Sequence, residues 1–320
     1  MVLRRVCEED MATKWNDAIE PALLERINGL MVGAVDLHCH SGPSVMPRCF
    51  NHIEAMTEAA EAGFKAMLIK DHYFSATPIT EMLNVTHGHL GITLFSGVPL
   101  NNSVGGFNKH AVDHGIALGA KLVWMPTFSS RNHIDSDHGV KAGFPHTSKK
   151  MIPFDPLTPI DDNGEVKDEV KVILDMIAEH DIILSGGHLH VSEIITVFAE
   201  AKKRGVKRLL VNHPTFIVGA QPDDLRQLVS MGAYIEHSFC MYIKMSRREK
   251  AMFPPEELHE LIQVVGVDRT ILASDLGQAN NDHPVDGFRN VINTCMNLGW
   301  SDADIKQMIS ANPLALLGMD

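Results

Sequence analysis

The stretch that decides the fold is the apolar run Met31-Val32-Gly33-Ala34-Val35-Asp36-Leu37, which leads directly into His38-Cys39-His40-Ser41-Gly42. The run predicts a buried strand with polar residues at its carboxyl end. Because strand side chains alternate between two faces, His38 and His40 point to one side and Cys39 to the other. Two converging imidazoles can hold a divalent metal at about 2.0–2.1 Å. The pattern predicts half of a metal site, with two solvated histidines at a strand end as the alternative.

The same unit, an apolar strand with polar residues at its end and then a helix, repeats along the chain. Further strands are predicted at residues 64–69, 92–96, 121–125, 182–185, 208–211, 233–235 and 270–273. Helices are predicted at 51–63, from Thr77, and at 104–118, 168–180, 192–205, 222–231, 255–265, 286–298, 301–310 and 312–317. Such alternation requires right-handed crossovers and a parallel sheet, and eight units can close into a barrel.

The predicted fold class is therefore α/β, a (β/α)8 TIM barrel forming a single domain over residues 31–320. An N-terminal helical segment, residues 1–30, precedes it with a helix over roughly 11–28, and a C-terminal helical extension follows the last strand. Residues 126–166 show no regular period and hold Arg131 and His133. A segment of that length in a compact domain is typical of a rim loop or lid.

In a barrel of this type all strand ends meet at one rim, so residues distant in sequence become neighbours. The polar residues at the predicted strand ends are His38, His40, Lys70, Asp71, His72, His188, His213, Glu236, His237 and Asp275. Neutral imidazoles and ionised carboxylates are the ligands of Zn²⁺ and Mn²⁺, whereas calcium prefers oxygen alone. The sequence predicts a metal centre at the rim.

Together these motifs resemble the amidohydrolase superfamily of metal-dependent hydrolases, over about residues 31–318. The resemblance rests on Asp36-x-His38-x-His40, His188, His213, Asp275 and the terminal segment Asn312-Pro313-Leu314-Ala315-Leu316-Leu317-Gly318. It implies that His38, His40, His188, His213 and Asp275 bind one or two ions, Zn²⁺ or Mn²⁺. It also implies that Asp275 is the general base toward water, and that the substrate is an amide, cyclic amide or ester of a small molecule.

The fourth strand departs from this family. Binuclear members bridge their ions with a lysine carbamate or glutamate at its end, and here the sequence reads Trp124-Met125-Pro126-Thr127. The departure favours a single ion. A bridge would otherwise have to come from Lys70, Asp71 or Glu236.

A second resemblance, carried by Asp71-His72 after the first histidine pair, is to PHP-type phosphoesterases. That family carries a histidine two residues after its last-strand aspartate, and here the position is Gly277. Phosphoester hydrolysis, non-oxidative decarboxylation and non-catalytic metal binding are the alternatives to amide or ester hydrolysis.

Several residues near the predicted rim are candidates for supporting roles. Lys70, Asp71, His72, Glu236 and His237 are predicted to add metal or substrate contacts, and Arg48, Arg131 and His190 to contact substrate. Cations at a barrel mouth can pair with a substrate carboxylate. His190, two residues after His188, is also an alternative to it as ligand.

Composition excludes several classes of partner. The net charge of −12 argues against nucleic acid and anionic membranes, both of which require a basic face. Five scattered cysteines without CxxC spacing favour a reducing compartment, and the chain has no 18-residue apolar stretch. We predict a cytoplasmic protein that acts on a small molecule, and leave homo-oligomerisation open.

Overall fold

The computed structural model describes residues 19–136, 147, 149–245, 250–279 and 281–319. Its centre is a sheet of parallel strands whose spatial order follows the chain, each paired with the next. The strands are β1 (Val35–Cys39), β2 (Ala66–Ile69), β3 (Thr93–Pro99), β4 (Leu122–Trp124), β5 (Ile183–Ser185), β6 (Arg208–Asn212), β7 (Tyr234–Ser238) and β8 (Thr270–Ala273). The predicted (β/α)8 barrel and all eight of its strands are confirmed.

Helices alternate with the strands and surround them. They are α1 (Pro21–Met31), α2 (His52–Glu61), α3 (Thr77–Thr86), α4 (Lys109–Ala117), α5 (Arg131–Asp135), α6 (Asp168–Glu179), α7 (Val191–Lys203), α8 (Pro222–Ser230), α9 (Pro255–Val265), α10 (Pro284–Asn297), α11 (Asp302–Lys306) and α12 (Asn312–Leu317). The predicted capping box at the start of α2 is present, with Asn51 accepting from the Glu54 N–H and Glu54 accepting from the Asn51 N–H.

The first boundary differs from its prediction. Helix α1 continues to Met31, past the predicted end at Asn28-Gly29, and β1 begins only at Val35. Leu30 and Met31 prolong the helix because both are buried in the core, and the chain turns at Gly33, whose φ is +82°. The N-terminal part of the predicted helix, residues 11–18, lies outside the described residues.

Helix α4 starts later than predicted, at Lys109 rather than near 104. Gly105 and Gly106, with φ of +88° and +67°, keep the preceding segment out of the helix, and the Asn108 side chain then caps its first turn. The predicted rim loop contains the short helix α5. Its residues 137–146 and 148 lie outside the described residues.

The barrel closes where β8 meets β1. The Asp275 N–H donates to the His38 carbonyl at 2.8 Å, and the His40 N–H donates to the Leu276 carbonyl at 2.8 Å. The buried Asp36 carboxylate reinforces this seam by accepting from the Ser274 hydroxyl at 2.6 Å. Closure therefore places the histidine pair of β1 directly beside the aspartate that follows β8.

Two apolar clusters show which strand faces point inward. Val35 and Leu37 pack with residues such as Leu68 and Ala273 inside the barrel, whereas Cys39 packs with the outer cluster toward the helices. The β1–β2 register shifts between Asp36 and Cys39, so β1 changes face at this irregularity. The prediction that Cys39 faces away from the histidine pair is confirmed. Among the described helices, none has the length and apolarity that a bilayer crossing requires.

Candidate metal centre

Three side chains from the β1–β8 seam converge on one point. The Nε2 atoms of His38 and His40 lie 3.3 Å and 3.1 Å from Oδ1 of Asp275, and the three ligand atoms all fall within 4.8 Å of one another. Each histidine is 1 % exposed, and the Asp275 side chain is 18 % exposed. Among the described residues, these three side chains form a group that could hold a metal ion.

The far nitrogens of the two imidazoles are held by acceptors. Nδ1 of His38 lies 2.9 Å from Glu236 Oε1, and Nδ1 of His40 lies 2.9 Å from the Lys70 carbonyl oxygen. In the neutral rings these contacts put the proton on Nδ1, so that each Nε2 presents a lone pair toward Asp275. Metal-binding histidines are oriented in this way. Two imidazole nitrogens and one carboxylate oxygen that converge in this way are a donor set that fits a divalent metal.

Glu236 lies behind His38 rather than among the converging ligand atoms. Its Oε1 also accepts from Ser238 at 2.8 Å, and its Oε2 accepts from the Asn212 amide. Asn212 is fixed in turn by the Ser185 hydroxyl at 2.5 Å. Burial raises the pKa of Glu236 to about 7. The prediction that Glu236 contacts metal or substrate gains no support, because the carboxylate is engaged by these donors.

The protonation states match those that metal ligands need. Burial lowers the pKa of His38 and of His40 to about 3, so both rings are neutral at pH 7. Burial acts in the opposite direction on Asp275, but the neighbouring His38 and His40 outweigh it and hold the pKa of that carboxyl well below its usual range. The site offers two neutral nitrogens and one ionised carboxylate.

Lys70 enters the same space from the end of β2. Its Nζ lies 3.0 Å from Nε2 of His38 and 5.8 Å from the centre of the Trp124 ring, and the side chain is 1 % exposed. Burial lowers the pKa of Lys70 to about 8. Trp124, at the end of β4, packs inside the barrel. Lys70 thus brings an amine into hydrogen-bond distance of Nε2 of His38, a predicted ligand nitrogen.

His188 and His213 lie beside the three-residue group without belonging to it. The His213 ring centre is 5.9 Å from that of His38 and 4.9 Å from that of His188. Nδ1 of His188 lies 3.0 Å from Nδ1 of His133, whereas Nδ1 of His213 is buried without a hydrogen-bond partner among the described residues. His133 stood in the predicted loop but was not singled out, since nothing in its local sequence indicates a pairing with His188.

Three further candidates lie close to the centre. Asp71 accepts from the Tyr73 N–H at 2.7 Å and pairs at 3.3 Å with Arg48, whose side chain is 3 % exposed. His72 stacks between His40, with ring centres 5.2 Å apart, and Phe128, at 3.8 Å. These residues line the β1 and β2 side of the site, and their predicted contacts with metal or substrate stay predictions.

Three other candidates are not brought to the centre. Tyr234 packs with the inner cluster and Ile235 with the outer one, so alternation along β7 turns His237 toward the helices. The exposed His190 caps helix α7 through Ser192, and the Arg131 side chain is exposed at the start of α5. The predicted contact of His237 with metal or substrate gains no support and stays a prediction, and His190 makes a capping contact.

Backbone strain is concentrated at the site. Among described non-glycine residues, positive φ occurs at His213 (34°), Asp275 (51°) and Asp181 (49°). Such conformations cost about 1–3 kcal/mol each and cluster at functional positions. Two of the three are predicted metal ligands, which indicates that the fold holds their side chains in place at an energetic cost.

The chain matches one family model, a family of unknown function (DUF6282), over residues 33–236, more than half of its length. The chain belongs to DUF6282. No curated protein matches this member of DUF6282 significantly.

Solved structures similar to the DUF6282 protein span nearly its whole length. An amidohydrolase from Pseudomonas aeruginosa matches with a TM-score of 0.60 and 11 % identity, covering 92 % of this chain and 98 % of the other. The probable dipeptidase PvdM of the same organism gives 0.61 and 11 %, covering 94 % and 99 %. A putative 2-pyrone-4,6-dicarboxylic acid hydrolase from Pseudomonas putida gives 0.57 and 15 %, covering 90 % and 98 %. At these identities the likeness establishes the fold.

Proposed function

We propose that this DUF6282 protein is a metal-dependent hydrolase that cleaves an amide, cyclic amide or ester of a small molecule. The observation that carries the proposal is the convergence of His38, His40 and Asp275, with both histidines anchored through their far nitrogens. The structural likeness to an amidohydrolase and a probable dipeptidase supports the same reaction class.

We propose Zn²⁺ or Mn²⁺, with one ion held firmly by His38, His40 and Asp275. The proposal of further ligands is supported by two ring contacts: the His213 ring centre lies 5.9 Å from that of His38, and the His188 ring centre lies 4.9 Å from that of His213. These two histidines are the proposed further ligands, for the same ion or for a second, weaker one. When bound, such an ion would lower the pKa of a coordinated water toward about 7 and would polarise the scissile carbonyl.

Asp275 is the proposed proton acceptor. It is ionised, and its side chain is more exposed than those of the two histidines, so it can reach a water on the substrate side. A carboxylate in this position can take the proton from water and pass it to the leaving group, a contribution of typically 10²–10⁴-fold in rate. Glu236 and the Lys70 carbonyl keep the histidine rings oriented while this occurs.

The test is a panel of lactams, hydantoins, N-acyl compounds, lactones and phosphoesters, assayed with added Zn²⁺ or Mn²⁺. For any substrate that is turned over, we expect Asp275→Asn to reduce kcat by about 10²–10⁴-fold. Asp302→Asn, which removes a carboxylate of the exposed pair with Arg26, is the matched control and leaves the rate unchanged. A rate of the Asp275 variant within a few-fold of wild type contradicts the assignment.

Turnover of phosphoesters alone would identify a phosphoesterase instead. Release of CO₂ without uptake of water would identify a decarboxylase.

We further propose the cytoplasm as the compartment, because the cysteines are scattered and show no CxxC spacing. The described cysteines Cys39, Cys49, Cys240 and Cys295 are all free thiols.

A further inference from the structure

Arg48 is a buried cation beside the metal centre that has no part in the proposed chemical step. It lies in the loop after β1, and its backbone forms an antiparallel bridge with Gln278 in the loop after β8. Its side chain extends to the end of β2, where Nη2 donates to Oδ2 of Asp71 at 3.3 Å. The next residue, His72, stacks on the ring of the proposed ligand His40, with ring centres 5.2 Å apart. Arg48 therefore lies at the barrel mouth, on the side formed by β8, β1 and β2.

The Arg48 guanidinium has more donors than the described residues have acceptors for it. Nη2 also donates to the Ser44 hydroxyl at 3.2 Å, whereas Nε and Nη1 are buried without a hydrogen-bond partner among the described residues. The side chain is 3 % exposed, so bulk water does not solvate these two donors. Buried donors on a charged group are costly when unpaired, and nearly all such groups in folded proteins have a partner. An anionic group is the partner that this arrangement favours.

Asp71 pairs with Arg48 through one contact only. At 3.3 Å that contact is longer than the roughly 2.7–2.9 Å of a strong charge-assisted hydrogen bond, and it uses a single nitrogen of the guanidinium. Oδ1 of Asp71 accepts instead from the Tyr73 N–H at 2.7 Å. A guanidinium presents five donors in a planar fork that matches the two oxygens of a carboxylate. The donors that Asp71 does not use can therefore hold a second carboxylate.

The surroundings of Arg48 indicate what kind of anion would bind. Ser44 is partly exposed, so an anion that displaces its hydroxyl from Nη2 reaches the guanidinium from the barrel mouth. Beside this position lies a small apolar cluster of Met46, Tyr73 and Phe128. A carboxylate at Arg48 with an apolar group against this cluster fits these surroundings better than a hydrated inorganic ion.

We propose that Arg48 binds a carboxylate of the substrate, so that this DUF6282 protein acts on small amides or esters that carry a carboxylate and an apolar group. The inference rests on the proposed function for the bond that is cleaved. Arg48 holds the substrate by its carboxylate while the scissile bond lies at the metal centre. Binding at Arg48 can be measured without turnover.

The first experiment titrates benzoate into the Zn²⁺-loaded full chain by calorimetry, with benzyl alcohol as the neutral counterpart. We expect benzoate to bind at least about tenfold more tightly than benzyl alcohol, Arg48→Met to remove that difference, and Arg48→Lys, which keeps the charge without the planar fork, to retain part of it. Arg26→Met, in the exposed pair with Asp302, is the matched control and leaves binding unchanged. No preference for benzoate in the wild type, or an unchanged preference in a folded Arg48→Met protein, overturns the proposal.

Asp71→Asn separates carboxylate binding from a merely structural role of Arg48. The asparagine oxygen can still accept from the Tyr73 N–H, but the charge that competes for the guanidinium is gone. We expect this variant to bind benzoate about tenfold more tightly than the wild type, whereas loss of a structural ion pair would not strengthen binding. Binding no tighter than that of the wild type overturns the proposal.

Kinetics separate this inference from the proposed function. For any carboxylate-bearing substrate that is turned over, Arg48→Met should raise KM by at least about tenfold with little change in kcat, because the contact is made equally in the ground state and the transition state. Benzoate binding that depends on Arg48, without turnover of any amide or ester, would contradict the hydrolase activity alone. Turnover with a KM that Arg48→Met leaves unchanged would contradict the carboxylate site alone.

Discussion

The hydrogen bond from His38 to Glu236 gives the sharpest prediction about the metal centre. Glu236→Ala removes the acceptor of His38 Nδ1 and leaves the buried Asn212 and Ser238 donors unpaired. A hydrogen bond to a charged group contributes about 1.5–3 kcal/mol. Loss of such a contact to a metal-binding histidine costs typically 10–100-fold in metal affinity, and the two ranges agree.

The assay is a competition titration of Zn²⁺ against a chromophoric chelator at pH 8, where the Glu236 carboxyl, whose pKa is about 7, is ionised. We expect Glu236→Ala to weaken Zn²⁺ binding by about 10–100-fold and Glu236→Gln, which keeps an acceptor oxygen, by less than about tenfold. Near-UV circular dichroism confirms that each variant is folded. A folded Glu236→Ala protein that binds Zn²⁺ within twofold of wild type would refute this role.

Two further substitutions test the charges and burial around the site. Lys70→Met removes an amine that lies 3.0 Å from Nε2 of His38. Because a cation at this position opposes metal binding, we expect the Zn²⁺ affinity of the variant at pH 7 to rise by about tenfold. A decrease in the same titration would show that Lys70 supports the metal. His237→Leu removes a buried ring with no hydrogen-bond partner among the described residues, so chemical denaturation should show a gain of about 1–2 kcal/mol in the free energy of unfolding. Burial lowers the pKa of His237 to about 3 in the folded wild type, so between about pH 6.5 and pH 3 this histidine binds a proton only in the unfolded chain. Acid therefore destabilises the wild type through His237 but not the variant. The stability advantage of the variant should grow by about 1.4 kcal/mol for each pH unit that the pH falls in this range. His52→Leu, which breaks a 2.6 Å contact with Ser41, is the control expected to destabilise, and a loss of stability in the His237 variant would contradict the reasoning.

The sequence was sufficient for the fold and for the centre of the site. Strand periodicity put His38 and His40 on one face, and eight repeated units implied the closure that brings Asp275 to them. Both inferences rest on the alternation of residues along a strand and on the repeated order of strands and helices, and both can be read from a single sequence. The late start of α4 could also have been predicted, because Gly105 and Gly106 disfavour a helix that begins near residue 104.

The contacts around the ligands could not be predicted in this way. Glu236 on β7 contacts Nδ1 of His38, and Lys70 after β2 contacts Nε2 of the same ring, so both contacts join elements that are distant in the sequence. The pairing of His133 with His188 joins a loop to a strand end. The contact of His283 with Glu58 joins two separate elements, and no spacing along the chain indicates it.

Metal content tests the central claim most directly. Protein grown in Zn²⁺- and Mn²⁺-supplemented medium and then desalted should hold about one firmly bound ion per chain by elemental analysis, and anomalous scattering should place it between His38, His40 and Asp275. His40→Ala should lose that ion while remaining folded. Wild-type protein without metal under these conditions, or an ion bound elsewhere, would contradict the account.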